Sequence, residues 1–297
     1  MRNKGFHFAA AAYTMWGFFP IYWKLLHSVP ALEILAHRMV WSLGFVVLVL
    51  AYKRRWGWLK PALRSKRILL TFLATGTVLS LNWFVYIWGV NAGFIVETSL
   101  GYFINPLVNV LLGVIFLGER MRAGQWTAVS LAAVGVLYLT ILYGSLPWIA
   151  LTLAFSFGTY GLLRKTAPLE ALEGLGLETA VMFIPALAYL IYLQVTGQAA
   201  FGHSGWTTSL MLAFAGVITA VPLWFFAIGA RQVTLITLGL LQYIAPTLQF
   251  LIGVFVYHEP FSRTQMVGFG LIWLALLLYS AEGILTARKK RQLGVVG

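Results

Sequence analysis

Ten apolar runs of roughly bilayer length follow one another along this chain, at residues 6–25, 31–52, 68–90, 95–117, 126–144, 147–163, 174–193, 209–229, 235–257 and 265–285. A helix that crosses the hydrocarbon core needs about 20 mostly apolar residues. In lipid there is no water to serve N–H and C=O groups, so the backbone must close its own hydrogen bonds and such runs fold as helices. Turn signals separate them, among them HSVP, NAGF, YGSLP and GQAAFGHSG. Only 10 % of the residues are charged and 60 % are hydrophobic, against about 25 % charged in soluble domains. The first run lacks a small-residue cleavage pattern and many like it follow, so it reads as a span and not as a signal peptide. The expected fold is all-α, a polytopic membrane protein with ten transmembrane helices.

The placement of charge orients this bundle. The chain has 21 Lys and Arg against 8 acidic residues, a net charge of +13. With both termini cytoplasmic, the inner set is Arg2 and Lys4, the seven basic residues of 53–67, Arg120 and Arg122, Arg164 and Lys165, Arg231, and the four of 288–291. That is 18 of the 21, with Arg263 alone in an outer loop and Lys24 and Arg38 at or within helices. Positive charge gathered on the inner side is the rule for multi-pass proteins. The charge therefore speaks for membrane lipids as partners, through anionic headgroups, and no motif supports a nucleic-acid partner.

Several chemistries are excluded. The chain has no cysteine and no aspartate, so it offers no disulfide framework, thiolate metal site or cysteine nucleophile. It contains no Gly-rich phosphate loop, HExxH pair or metal-ligand cluster. The expectation is a protein that is not an enzyme, with no metal and no cofactor.

The chain also repeats itself. Shifting the sequence by 140 positions lays Leu100, Ile104, Pro106, Leu111, Gly113, Val114 and Glu119 on Leu240, Ile244, Pro246, Leu251, Gly253, Val254 and Glu259. The same shift brings Ala31-Leu32-Glu33 onto Ala171-Leu172-Glu173, and Gly89 onto Gly229. The expected halves are 1–145 and 146–297, each with five helices. Because five is odd, the second half enters the membrane from the other side. Inverted repeats of this kind are a common architecture of secondary transporters.

Candidate binding residues come from polar groups inside these runs. Pro106 and Pro246 sit near the middle of the fourth and ninth runs, where each removes an amide donor and is expected to break its helix. Around them lie Tyr102, Asn105 and Asn109 in one run, and Gln242, Tyr243 and Gln249 in the other. Two charges lie well inside spans, Arg38 and Glu178, at positions equivalent under the 140-residue shift. Buried charge in a bilayer is costly and is paired or lines an aqueous cavity, so the two can pair with each other or bind opposite ends of a zwitterion. Tyr13 and Trp16 of the first run and Asn82 and Tyr86 of the third complete the candidate substrate-binding set. Glu119 and Glu259, at the ends of their runs, suit capping, arginine pairing or gating.

These phrases, AAYTMWGFFPIYWK, EILAHRMVWS and SLGYFINPLVNVLLGVIFLGER, resemble the drug/metabolite transporter superfamily and, within it, EamA-type permeases of the bacterial RarD group. The resemblance covers essentially the whole chain. It implies an inner-membrane secondary transporter with a central cavity between two halves, but no list of functional residues to carry over. The resulting expectation is a permease for a small polar metabolite, amino-acid-like solute or drug, working by alternating access as a monomer or weak homodimer. Proton coupling is possible through Glu178. The alternatives are a channel-like facilitator and a non-transporting receptor or assembly protein. A carrier predicts a roomy polar cavity; a receptor predicts a packed axis with Arg38 and Glu178 tied off.

Overall fold

A computed structural model describes residues 2–54, 56–91, 95–143, 148–258 and 262–292. Every regular element among them is helical. In chain order these are α1 (Arg2–Gly17), α2 (Phe19–Lys24), α3 (Ala31–Tyr52), α4 (Leu59–Arg64), α5 (Lys66–Asn91), α6 (Ile95–Leu117) and α7 (Ala123–Tyr143). They continue as α8 (Trp148–Thr166), α9 (Ala171–Val195), α10 (Trp206–Gln232), α11 (Leu235–Gln242), α12 (Ile244–Phe255) and α13 (Arg263–Gln292). Among the described residues, seven stretches are long and apolar enough to cross a membrane: α3, α5, α6, α7, α9, α10, and α11 together with α12. The protein is thus an all-α, multi-pass membrane protein. α1 packs on α10, α8 on α6, and α13 on α7.

Hydrophobic exclusion gives little drive between helices in lipid, so close backbone contact through small residues holds such bundles together. The α3–α10 crossing depends on Gly216, where a Cβ would stand 2.3 Å from the Trp41 carbonyl carbon. Ser42 closes the same crossing by donating to the Gly216 carbonyl at 3.0 Å. Where α1 meets α10, a Cβ on Gly229 would lie 2.8 Å from that of Ala9.

Proline placement differs from expectation in two ways. The first run divides into α1 and α2, with Pro20 in the opening turn of α2. Pro20 cannot donate to the Trp16 carbonyl four residues back, and Gln249 of α12 supplies the missing donor at 3.0 Å. Pro106, expected to break its helix, does not: α6 runs continuously through it. One lost amide leaves the flanking hydrogen bonds of α6 intact, and α11 packs tightly alongside, with Gly239 so near that a Cβ there would stand 2.8 Å from the Pro106 carbonyl. Pro246 lies in the first turn of α12, just beyond the interruption that separates α11 from α12 at Tyr243.

The ends of the spans also shift. α8 extends through Arg164 and Lys165, which the sequence places in a cytoplasmic loop, and Arg164 is buried. The basic segment 53–67 contains the short helix α4, anchored by the buried Ala62. The loop 144–147 and Glu259 lie outside the described residues, as does the side chain of Asn91.

Candidate functional site

Arg38 sits on α3, 2 % exposed, with its guanidinium between two indoles, 4.0 Å from the Trp83 ring of α5 and 4.7 Å from the Trp23 ring of α2. Its Nε donates to Thr219 Oγ1 of α10 at 2.9 Å. A planar, weakly hydrated guanidinium is well suited to such stacking. Tyr22, Tyr86 and Tyr102 stand around it, with the Tyr86 and Tyr102 rings edge to face at 5.4 Å. A hydroxyl and aromatic faces solvate the cation without neutralising it, and no described carboxylate pairs with it. The neighbouring His37 turns elsewhere: it accepts from Trp41 Nε1 at 3.1 Å and lies 3.9 Å from Glu33. Glu33 in turn accepts from the amides of Ala200 and Phe201 at 2.8 and 3.2 Å, tying α3 to the loop before α10.

Glu178 sits on α9, also 2 % exposed, and its cation is Arg164 of α8, with Nη1 3.8 Å from Oε2. Of the two alternatives, pairing with each other or binding opposite ends of a solute, the first is not seen: the two charges have separate surroundings. One small void lies between α3, α5, α9 and α10. Glu178 lines it directly, beside Thr179, and Arg38 borders it through its partners Trp83 and Thr219. The expected roomy cavity is absent at this place: the void holds no more than about one water.

The remaining candidates divide into packing and crossing groups. Tyr13 is fully buried, with its ring 5.5 Å from that of Trp16; Trp16 packs against Phe157 and Phe226, and Tyr160 stacks on Phe226 at 5.7 Å. Asn82 donates to the Leu153 carbonyl and to Ser156 Oγ, both at 2.9 Å, fastening α5 to α8. Asn109 donates to Gln242 Oε1 at 2.7 Å and, at 3.4 Å, to Asn105 Oδ1, so these three amides mark the crossing of α6 with α11. Tyr243 is buried with its ring 6.3 Å from that of Phe103. Of the candidate set, Arg38, Tyr86 and Tyr102 gather around one charge, with Glu178 on the adjoining void.

Glu119 is a cap: its carboxylate accepts from the amides of Leu235 and Ile236 at 2.8 and 3.0 Å, at the start of α11. A carboxylate at a helix N-terminus meets unpaired donors and the positive end of the dipole. Lys165 adds a cation 3.9 Å away. Sequence reasoning did not place Arg164, Tyr160, Thr219 or Trp23 beside either charge. The available signal for Arg164 was its position one helix before the unpaired Glu178.

Comparison with known proteins gives a consistent result. The EamA-like transporter family matches this chain twice, over residues 3–141 and 146–281. "Protein RarD" of Streptomyces exfoliatus is 51 % identical over 291 residues, covering 98 % of this chain and 92 % of the relative. "Uncharacterized transporter YojE" of Bacillus subtilis (strain 168) is 51 % identical over 282 residues, with 94 % of each chain covered. "Protein RarD" of Escherichia coli (strain K12) is 43 % identical over 287 residues, with 97 % of each covered. A solved crystal structure superposes with a TM-score of 0.70 at 18 % identity, covering 94 % of this chain and 98 % of the other, a likeness of fold.

Proposed function

Because this chain belongs to the EamA-like transporter family, we propose that it moves a small solute bearing both an anionic and a cationic group, held between Arg38 and Glu178. It is a secondary transporter of the kind typical of that family and of the RarD relatives, a multi-pass bacterial inner-membrane protein and not an enzyme. The observation that carries the substrate reading is a pair of opposite buried charges, Glu178 lining one void and Arg38 held behind that void's lining residues Trp83 and Thr219, neither neutralised by the other. Arg38 takes the carboxylate, with Trp23 and Trp83 shielding the ion pair from lipid. Glu178 takes the cationic end.

The architecture proposed is ten spans in two inverted halves, 1–145 and 146–297, with both termini cytoplasmic. Three observations support it. The family matches twice, once in each half. The packing is preserved when the halves are exchanged: α1 on α10 answers α8 on α5, α6 on α8 answers α12 on α1, and α3 on α10 answers α9 on α5. The distribution of basic residues adds the orientation. In this frame Arg38 and Glu178 each lie seven residues into their helices, from opposite membrane faces. At 1.5 Å per residue that depth is about 10 Å, leaving roughly 10 Å between the two charges across a 30 Å core. A solute engages first one and then the other as the halves rock.

Uptake into proteoliposomes from a mixed panel of zwitterionic, anionic and neutral metabolites tests this reading. Accumulation of a zwitterion that is lost in Arg38→Ala and in Glu178→Ala, with both variants still folded in the membrane, is the expected result. Unchanged uptake in both variants overturns it.

A further inference from the structure

Several threonines of these helices return their hydroxyls to carbonyls of their own helix, as Thr71, Thr140 and Thr179 do at 2.8 Å. Thr219 makes no such bond among the described residues. Its buried Oγ1 instead accepts from Arg38 Nε, across to α3, at 2.9 Å. That bond fixes which edge of the guanidinium is on offer. A guanidinium carries its N–H donors in a rigid planar fork. A carboxylate meets it side-on, through Nε and one Nη, or end-on, through both Nη groups. Nε is engaged by Thr219, so the side-on edge is closed; Nη1 and Nη2 bond no described residue, which leaves the end-on edge. The faces are closed as well. The Trp83 and Trp23 rings stand 4.0 and 4.7 Å from Cζ, leaving no room for an oxygen above or below it. Of the three tyrosines beside Arg38, Tyr22 commits its proton to the Met211 carbonyl. Tyr86 and Tyr102 are half-buried, and their hydroxyls bond no described residue, so two more donors stand near the open edge.

We infer that Thr219 is a positioning residue that sets the anion selectivity of Arg38, admitting flat, two-oxygen groups such as a carboxylate and rejecting tetrahedral sulfonate, phosphonate and phosphate groups. This rests on the carrier reading above, in which Arg38 holds the anionic end of the solute. A carboxylate lies in the plane of the end-on edge, and each of its oxygens meets an Nη donor. A tetrahedral head carries a third oxygen out of that plane, where an indole face offers it no hydrogen bond. A charged oxygen buried without a donor is costly. When the Thr219 oxygen is removed, Nε is released and the guanidinium turns between the indoles. The side-on edge then comes within reach of either kind of anion.

Acetate, methanesulfonate and methylphosphonate carry one methyl group on three different heads, and at mildly acidic pH each is a monoanion. The thermal midpoint of the purified protein in detergent is followed against the concentration of each. The same titration of R38Q, which lacks the site, subtracts the general effect of salt. The wild-type protein is expected to show an Arg38-dependent rise with acetate and to need about tenfold more of either tetrahedral anion, the loss of one charge-assisted hydrogen bond. T219V is expected to close that gap while keeping the response to acetate, and T219S to restore it. A purely structural role for Thr219 lowers the midpoint of T219V and leaves the ratio between anions as it was. Equal response to the three anions in the wild type, no response beyond that of R38Q, or an unchanged gap in T219V each overturns the inference. If T219V does not fold, T219A makes the same cut; if neither folds, the wild-type gap over R38Q decides. The carrier reading fails separately: proteoliposomes that move no zwitterion leave the anion preference in place, while equal response to the three anions leaves zwitterion uptake to stand or fall by itself.

Discussion

Replacing Arg38 by leucine separates function from stability at this site. In the folded protein the guanidinium is buried without a described carboxylate partner, supported by two indoles and one hydroxyl. Burying an ion costs several kcal/mol even after relaxation. Each desolvated cation–π contact returns about 1–2 kcal/mol, and a hydrogen bond to a charged group about 1.5–3 kcal/mol. The two sides nearly cancel, and leucine fills the volume of the aliphatic stem. Arg38→Leu is therefore expected to change thermal stability in detergent by no more than about 1 kcal/mol. Transport is another matter. Removing one partner of a buried ion pair costs about 2–5 kcal/mol, because the substrate carboxylate is left desolvated and unpaired. A mid-range loss of about 3 kcal/mol corresponds to roughly a hundredfold drop in uptake. Proteoliposome uptake, normalised to folded protein by size-exclusion chromatography, gives one number and a thermal melt the other. Wild-type uptake per folded molecule refutes the binding role. A loss of uptake that merely follows a large loss of folded protein refutes it as well, since it makes Arg38 a structural residue.

Two further outcomes test how the bundle manages its interrupted helices. Gln249→Leu leaves the Trp16 carbonyl with no donor at the α1–α2 break, at a cost of about 1–3 kcal/mol; the thermal midpoint in detergent should fall, and an unchanged midpoint rejects the role given to Gln249. Glu119→Ala uncovers the two amides that open α11, a loss of about 1 kcal/mol. Amide hydrogen exchange at Leu235 and Ile236 should accelerate roughly fivefold, and unaltered exchange means that Lys165 or solvent serves those groups instead.

The sequence was most informative where a single physical demand left one solution. Long apolar runs must be helices in lipid, and the described runs are. Arg38 and Glu178 stood out because charge inside a span always needs an explanation, and both are buried, Glu178 on the void and Arg38 behind its lining residues Trp83 and Thr219. Arg164 was illegible for the converse reason. A basic pair ending an apolar run looks like the membrane boundary, and only the fold shows the chain of α9 returning so that Ala171, Phe72 and Glu178 surround it. Polar residues such as Asn82 and Gln242 advertise an unmet hydrogen bond but not its partner, which proved to lie on another helix; for Asn105 it is Asn109 of its own helix. Pro106 misled because its steric cost is local, while the continuity of α6 is decided by the whole helix and by α11 pressed against it.

The central claim is that the void lined by Glu178 and Thr179 opens to each side of the membrane in turn. Thr179 lines that void, is 5 % exposed, and bonds only to carbonyls of its own helix, at 2.8 and 3.1 Å. Cysteine is close to it in size, and the chain has no other. Thr179→Cys, exposed to a membrane-impermeant maleimide in right-side-out and in inverted vesicles, is predicted to react from both faces while the vesicles stay impermeable to the reagent. Protection from both faces would show a packed axis and contradict the account; reaction accompanied by leakage of the reagent would show a channel.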